Sequence, residues 1–198
     1  MKLTFEKHNP NWSTDFENIK NELLKLIGNI NPKIEHIGST SIQGLSAKPI
    51  IDILIGVNSD KDLEGTISPL ISSNYVYYEC FNEIMPYRRF FVKHKINPRT
   101  LSIPIIIANK DIIPASTEEH NCRLAHIHIL HYNSEHWLRH IAFRDYLKTY
   151  PLIKEEYQLL KEELSKKEWR DGNEYNEAKN KFIEKEEKKA IDWYLKKR

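Results

Sequence analysis

The chain has 198 residues, and its 30 Lys and Arg nearly balance 28 Asp and Glu, for a net charge of +2. That length can bury a full core without staples, and so even a balance offers no general electrostatic footprint for nucleic acid or an anionic membrane. Cys80 and Cys122 fit no metal or redox spacing and no apolar run reaches spanning length, so the expectation is a cytoplasmic protein, one domain over 1–198, without membrane or nucleic-acid partners.

In chain order, residues 13–27 read as a helix. Ser13 serves as N-cap, Phe16, Ile19, Leu23, Leu24 and Ile27 recur at helical spacing, and Gly28 stops it. Residues 34–37 and 50–57 read as strands, the second almost wholly apolar and therefore central in a sheet. A second helix follows over 62–72. The runs "YVYYE", "RRFFVK" and "LSIPIIIA" are β-rich, and after the polar patch "PASTEEHN" comes another strand, "LAHIHILHY".

From Ser134 the pattern turns helical. Trp137, Leu138, Ile141, Ala142, Tyr146 and Leu147 form one stripe, and Pro151 stands where a new helix can begin. The remainder is rich in Glu and Lys. It reads as a solvated face with i,i+4 pairs, or as a helical partner surface that would support a homodimer. The expected fold is a mixed α+β (or α/β) sheet core, about 1–133, with flanking helices and a C-terminal helical set, about 134–198.

The chemistry concentrates in "HIGSTSIQGLSAKPIIDILIGV". Gly38 lets backbone approach a ligand closely, and Ser39, Thr40 and Ser41 supply donors. Lys48 adds a point charge suited to phosphate oxygens. Asp52 interrupts an apolar strand, where a carboxylate is costly unless something compensates it, and a divalent cation would do so. The alternative is that Ser39 to Ser41 cap a helix and Asp52 is a structural acid satisfied by its neighbours. The residues alone leave both open.

This stretch closely resembles the signature of the GrpB family, which is placed in the nucleotidyltransferase superfold. The resemblance extends through "HNPNW", "YRRFF", "LAHIHIL", "FRDYLKTYP", "YQLLKEEL" and "YNEAKNKFI". It implies a nucleotidyltransferase-like core in which Gly38 and Ser39 hold a nucleoside triphosphate and Asp52 is the catalytic strand acid that binds magnesium. Leu54 stands where that pattern has a second acid. His126 and His128 alternate on one strand and so share a face; with His36 they are candidate ligands that would favour manganese or zinc. Arg88 and Arg89 alternate to opposite faces, and Arg89 is the candidate phosphate partner.

The function expected from the resemblance is metal-dependent transfer of a nucleotidyl group to an acceptor the sequence does not name. The alternative is a non-catalytic nucleotide- or metabolite-binding accessory module. Lys161 and Lys179 match family motifs but read as solvated, His131, His136 and His140 as peripheral, and the four tryptophans as packing residues. Arg144 and Asp145 read as a structural ion pair.

Overall fold

The run expected to be central is central. In the computed structural model, which describes residues 5–109, 122–169 and 172–197, strand β2 (Ile51–Val57) lies between β1 (Lys33–Ile37) and β5 (Arg123–His131). Strands β4 (Arg88–His94) and β3 (Val76–Tyr77) complete a five-stranded sheet of order β1-β2-β5-β4-β3. β2 and β5 run parallel and the other pairings are antiparallel, so the sheet is mixed.

Alternation gives the sheet two unlike faces. Ile51, Ile53, Ile55 and Val57 join Ala125, Ile127, Ile129 and Phe91 on one face, all essentially buried. Against them packs α1 (Asn11–Ile27) through Trp12, Phe16, Ile19, Leu23 and Ile27. Helices α2 (Asp60–Gly65) and α3 (Ile67–Ser72) add Leu63 and Leu70. Each such aliphatic side chain contributes about 1.5–3 kcal/mol when fully removed from water, so this face carries the core.

The other face is only partly apolar. Leu54, Leu130 and Ile37 pack under Trp137 and Ile141 of α4 (Glu135–Thr149). Helices α5 (Pro151–Ser165) and α6 (Gly172–Lys197) close over the β1–β2 end, meeting Ile42 and Leu45 through Tyr157, Phe182 and Ile183. Between these contacts the same face presents Asp52, His126, His128 and Arg88.

Several boundaries depart from expectation for local reasons. Helix α1 starts earlier than Ser13: Pro10 occupies the cap position, and Asn9 Oδ1 accepts from the Asn11 N–H at 3.0 Å. The single helix expected over 62–72 is two. Pro69 has no N–H for the carbonyl of Gly65, so the chain breaks at Thr66 and restarts with Pro69 in the first turn of α3, where no donor is needed. "LSIPIIIA" makes only an isolated bridge, with the Tyr77 N–H on Ile105 O and the Ile107 N–H on Tyr77 O, each at 2.8 Å. Its apolar residues bury Ile103 and Ile107 against Tyr78 and Phe90 instead. The patch "PASTEEHN" lies outside the described residues.

The helical half follows its signals. Ser134 Oγ caps α4 by accepting from the Trp137 N–H at 3.2 Å, and Pro151 opens α5. Arg144 bonds Asp145, as expected, and also reaches Glu35 at 2.7 Å, tying α4 to β1. Among the described residues, no helix is long and apolar enough to cross a membrane.

Candidate functional site

The site begins at Gly38, which leaves β1 with φ +68°, a conformation that favours glycine. A one-turn 3-10 segment, Ser39–Ser41, follows, closed by the Ser41 hydroxyl donating to Gly38 O at 2.7 Å. The register pairs Ile37 with Asp52. That pairing presses the carboxylate onto the turn, so that a Cβ at position 38 would lie 2.2 Å from Asp52 Oδ2.

On its other side Asp52 pairs in register with His126, whose Nδ1 is 3.2 Å from Oδ1. Arg123 Nη1 lies 3.3 Å from His126 Nε2. A guanidinium can only donate, so Nε2 accepts and the imidazole proton sits on Nδ1, donated to Asp52. Both ring nitrogens are thereby engaged.

Three lysines from three elements gather here: Lys48 and Lys179 within the field of Asp52, and Lys161 on the Ser39 turn. Lys161 of α5 is only 2% exposed. Its ammonium donates to Ser39 Oγ at 3.2 Å and to Ser46 O, and lies 5.0 Å from the Tyr157 ring centre. Lys48, from the segment before β2, and Lys179 of α6 stand 5.0 and 4.2 Å from the Tyr175 ring centre. Burial depresses all three, Lys161 to about 7 and Lys48 and Lys179 to about 8. The charge of Lys179 adds to the depression of Lys48 and Lys161, while Asp52 partly restores Lys48 and Lys179. Tyr157, bonded to Ser39, is pushed up to about 12 by burial. A cradle of ammonium groups thus forms, with Lys161 on the serine turn and Lys48 and Lys179 over Tyr175 within the field of Asp52.

The structure brings Gly38, Ser39, Lys48, Asp52 and His126 together and sends other candidates elsewhere. His36 pairs with Ile53 and so lies on the opposite sheet face, stacked on Phe16 at 4.7 Å and bonded to Thr40 Oγ1 at 2.9 Å. Burial holds its pKa near 4. Thr40 is consumed by that bond and by donating to Ile50 O at 3.5 Å. Arg89 also faces away and pairs with Glu64. It is Arg88 that shares a face with Asp52, because β4 sets Arg88 opposite Leu130. His128 shares that face too, but its Nδ1 is taken by Arg88 Nη1 at 3.2 Å.

The expected ligand set of Asp52, His126, His128 and His36 is therefore not gathered. Among the described residues no group of three or more His, Cys, Asp or Glu could hold a metal ion, and Leu54 is fully buried under α4. Lys161 and Lys179 are the residues that sequence reasoning set aside. Their signal was present: Tyr157, Lys161 and Leu164 are the buried residues of α5, one stripe at i, i+4 and i+7, and Lys179 follows Tyr175 by four.

Asp52 accepts an imidazole N–H and compensates the lysines, so Asp52→Asn is expected to destabilise the protein by about 1.5–3 kcal/mol, the scale of a charged hydrogen bond. Urea unfolding at neutral pH checks this. A midpoint at or above that of the wild type would mean that the carboxylate is not compensated by these neighbours.

These features define a mixed α+β protein with a lysine-lined cradle on a glycine–serine turn. The chain belongs to the GrpB family: residues 2–189 match the family described as "GrpB protein". It is 33% identical to the glutamate-rich protein GrpB of Alkalihalophilus pseudofirmus over 178 residues, 89% of each chain. To the UPF0157 protein YqkA of Bacillus subtilis it is 30% identical over 97% of this chain and 48% of that one. The crystal structure of conserved protein GrpB from Enterococcus faecalis superposes with a TM-score of 0.75 at 30% identity, covering 97% of this chain and 99% of that one. The fold is thus the mixed-sheet α+β architecture expected.

Proposed function

We propose that this GrpB-family chain binds the phosphates of a nucleoside triphosphate in the cradle over Asp52. The observation that carries this reading is a set of three largely buried lysines from three separate elements, Lys161 bonded to Ser39 and Lys48 and Lys179 over the Tyr175 ring within the field of Asp52. Packing cations together in a half-dry cleft is costly. An incoming polyphosphate removes that cost, and ammonium point charges suit its oxygens.

The protonation of these lysines gives the test. Their folded values, about 7 for Lys161 and about 8 for Lys48 and Lys179, lie below the ordinary 10.5. Between those limits the unfolded chain holds more protons than the folded one, so their contribution to stability rises with pH and is least below the folded values. A bound polyanion reverses the balance by drawing protons back onto the lysines. Tripolyphosphate binding is therefore expected to take up protons and to weaken as pH rises from about 6.5 to 9. Titration calorimetry in buffers of different ionisation enthalpy measures both. Binding without proton uptake, or no binding at all, would remove the cradle reading.

The Asp52–His126 pair favours nucleotidyl transfer as a second reading. An acceptor hydroxyl oxygen would bond the α-phosphorus as pyrophosphate leaves, with the hydroxyl proton passing to Asp52. Pyrophosphate release from ATP in the presence of candidate acceptors, and its loss in Asp52→Asn, tests this. Release that persists in the variant would exclude Asp52 as the base.

A further inference from the structure

The cradle leaves part of the same sheet face unused. One pleat along the strands from Asp52 and His126, about 7 Å for two residues, the sheet face carries His128 of β5. Arg88 of β4, in register with Leu130 a further pleat on, reaches back to it, with Arg139 and His140 of α4 near them. Arg88 Nη1 donates to His128 Nδ1 at 3.2 Å, and its guanidinium lies 5.2 Å from the Phe90 ring centre. Its Nε is buried and has no hydrogen-bond partner among the described residues. Since the guanidinium cannot accept, His128 carries its proton on Nε2, which leaves a second donor in the cluster. The His140 ring centre is 6.1 Å from that of His128.

Arg139 adds another cation. Its side chain is 41% exposed and forms an ion pair with Glu187, Nε to Oε2 at 3.8 Å, while the Nε atom itself is buried and makes no hydrogen bond among the described residues. Tyr87 stacks on His136 at 3.6 Å, next to Arg88 in sequence. Burial, then the charges of the two arginines, keeps both imidazoles uncharged at neutral pH, His128 well below its ordinary value and His140 near 4. Two guanidinium groups and two neutral imidazoles thus lie within electrostatic reach of one another, with the mostly buried Glu187 beside Arg139 and Asp52 acting on His140. Buried donors without acceptors call for an explanation, and a guanidinium fork is shaped for an oxyanion.

We infer that Arg88, His128, Arg139 and His140 form a subsite for the carboxylate or phosphate group of a second ligand that shares the cleft with the nucleotide. That this ligand is the second one rests on the cradle reading; the anion site itself does not. Its place, one pleat from Asp52 at His128 and two at Arg88, directs the remainder of such a molecule along the face toward the carboxylate. This narrows the acceptor class to small anionic metabolites held by their charged end.

The test uses the full chain labelled with nitrogen-15, observing histidine side-chain resonances near neutral pH. Inorganic phosphate and acetate are added separately, and tripolyphosphate in a third titration. One of the two simple anions is expected to shift His128 and His140, and the stronger of them identifies the charged group. Arg88→Gln is expected to weaken that binding by roughly tenfold or more, whereas Lys161→Met leaves it in place. Arg88→Lys, which keeps the charge but loses the fork, serves if the Gln variant does not fold; a loss of binding there supports the fork. Unmoved His128 and His140 at saturating phosphate and acetate would overturn the subsite, as would an equal shift in Arg88→Gln. If tripolyphosphate still binds in that case, the cradle survives without the subsite. If the simple anions shift His128 while tripolyphosphate binds nowhere, the subsite stands and the cradle reading falls.

Discussion

Lys161→Met is expected to weaken binding of tripolyphosphate, or of a nucleoside triphosphate, by roughly 10- to 150-fold. That range is one charge-assisted bond, about 1.5–3 kcal/mol, expressed as an affinity ratio. Lys161 is chosen because it is the most enclosed of the three cradle lysines by exposed surface and is held on Ser39 Oγ and Ser46 O, so it is already in place when the ligand arrives. Methionine keeps the length and the apolar stem that packs beside Tyr157. Its effect on stability is small by cancellation. The Ser46 carbonyl loses a partner, at a cost of about 1–3 kcal/mol, while the burden of a buried ammonium disappears. Exposed Lys181→Met is the control, with affinity expected to be unchanged. Calorimetry that finds Lys161→Met as tight a binder as the wild type would show that the phosphates lie elsewhere.

Gly38→Ala is expected to be the most damaging single methyl in the protein. The added Cβ would stand 2.2 Å from Asp52 Oδ2 and 2.9 Å from both Asp52 Cβ and Cγ, at a φ of +68°. Conformation alone costs a non-glycine residue about 1 kcal/mol or more, and the overlap must be relieved by moving either the turn or strand β2. β2 is central, bonded on both sides by β1 and β5, so the turn yields and its close packing on Asp52 is lost. A destabilisation of about 3 kcal/mol or more follows, at the high end for point substitutions. Asp52→Ala removes the Oδ2 and Cγ contacts but not the Cβ one, so the double variant should recover part of the loss. Urea titration of the four proteins gives the coupling directly. Strict additivity would mean that the turn does not rest on the carboxylate.

The apolar run Ile50 to Val57 could hardly be anything but a central strand, because both of its faces are hydrophobic apart from Asp52, and burial on both sides is available only inside a sheet. The glycine before Ser39 and the acid on the next strand were legible as a pair for the same reason: a buried carboxylate needs company, and a small-residue turn is where company can approach. The stripe from Trp137 to Leu147 and the cap at Ser134 likewise marked α4, since 3.6-residue periodicity and an N-cap hydroxyl are local properties of the chain.

Pairings across the fold were not local. Alternation says that Arg88 and Arg89 point to opposite faces, but which one meets Asp52 depends on the register of β4 on β5, and a slip of one residue would exchange them. His36 could be read as a ligand because it adjoins Gly38. Antiparallel register with Ile53 instead turns it onto Phe16, across the sheet from the carboxylate it was expected to join. Lys161 and Lys179 illustrate the same boundary from the other side. A lysine among apolar positions on a charged helix has a stem that can snorkel to water, so composition favours the solvated role. Only the packing of α5 and α6 over the Ser39 turn removes that water, setting the Lys161 ammonium on Ser39 and that of Lys179 within the field of Asp52. Periodicity is a property of one segment, whereas a charge cluster needs several segments to arrive at one place.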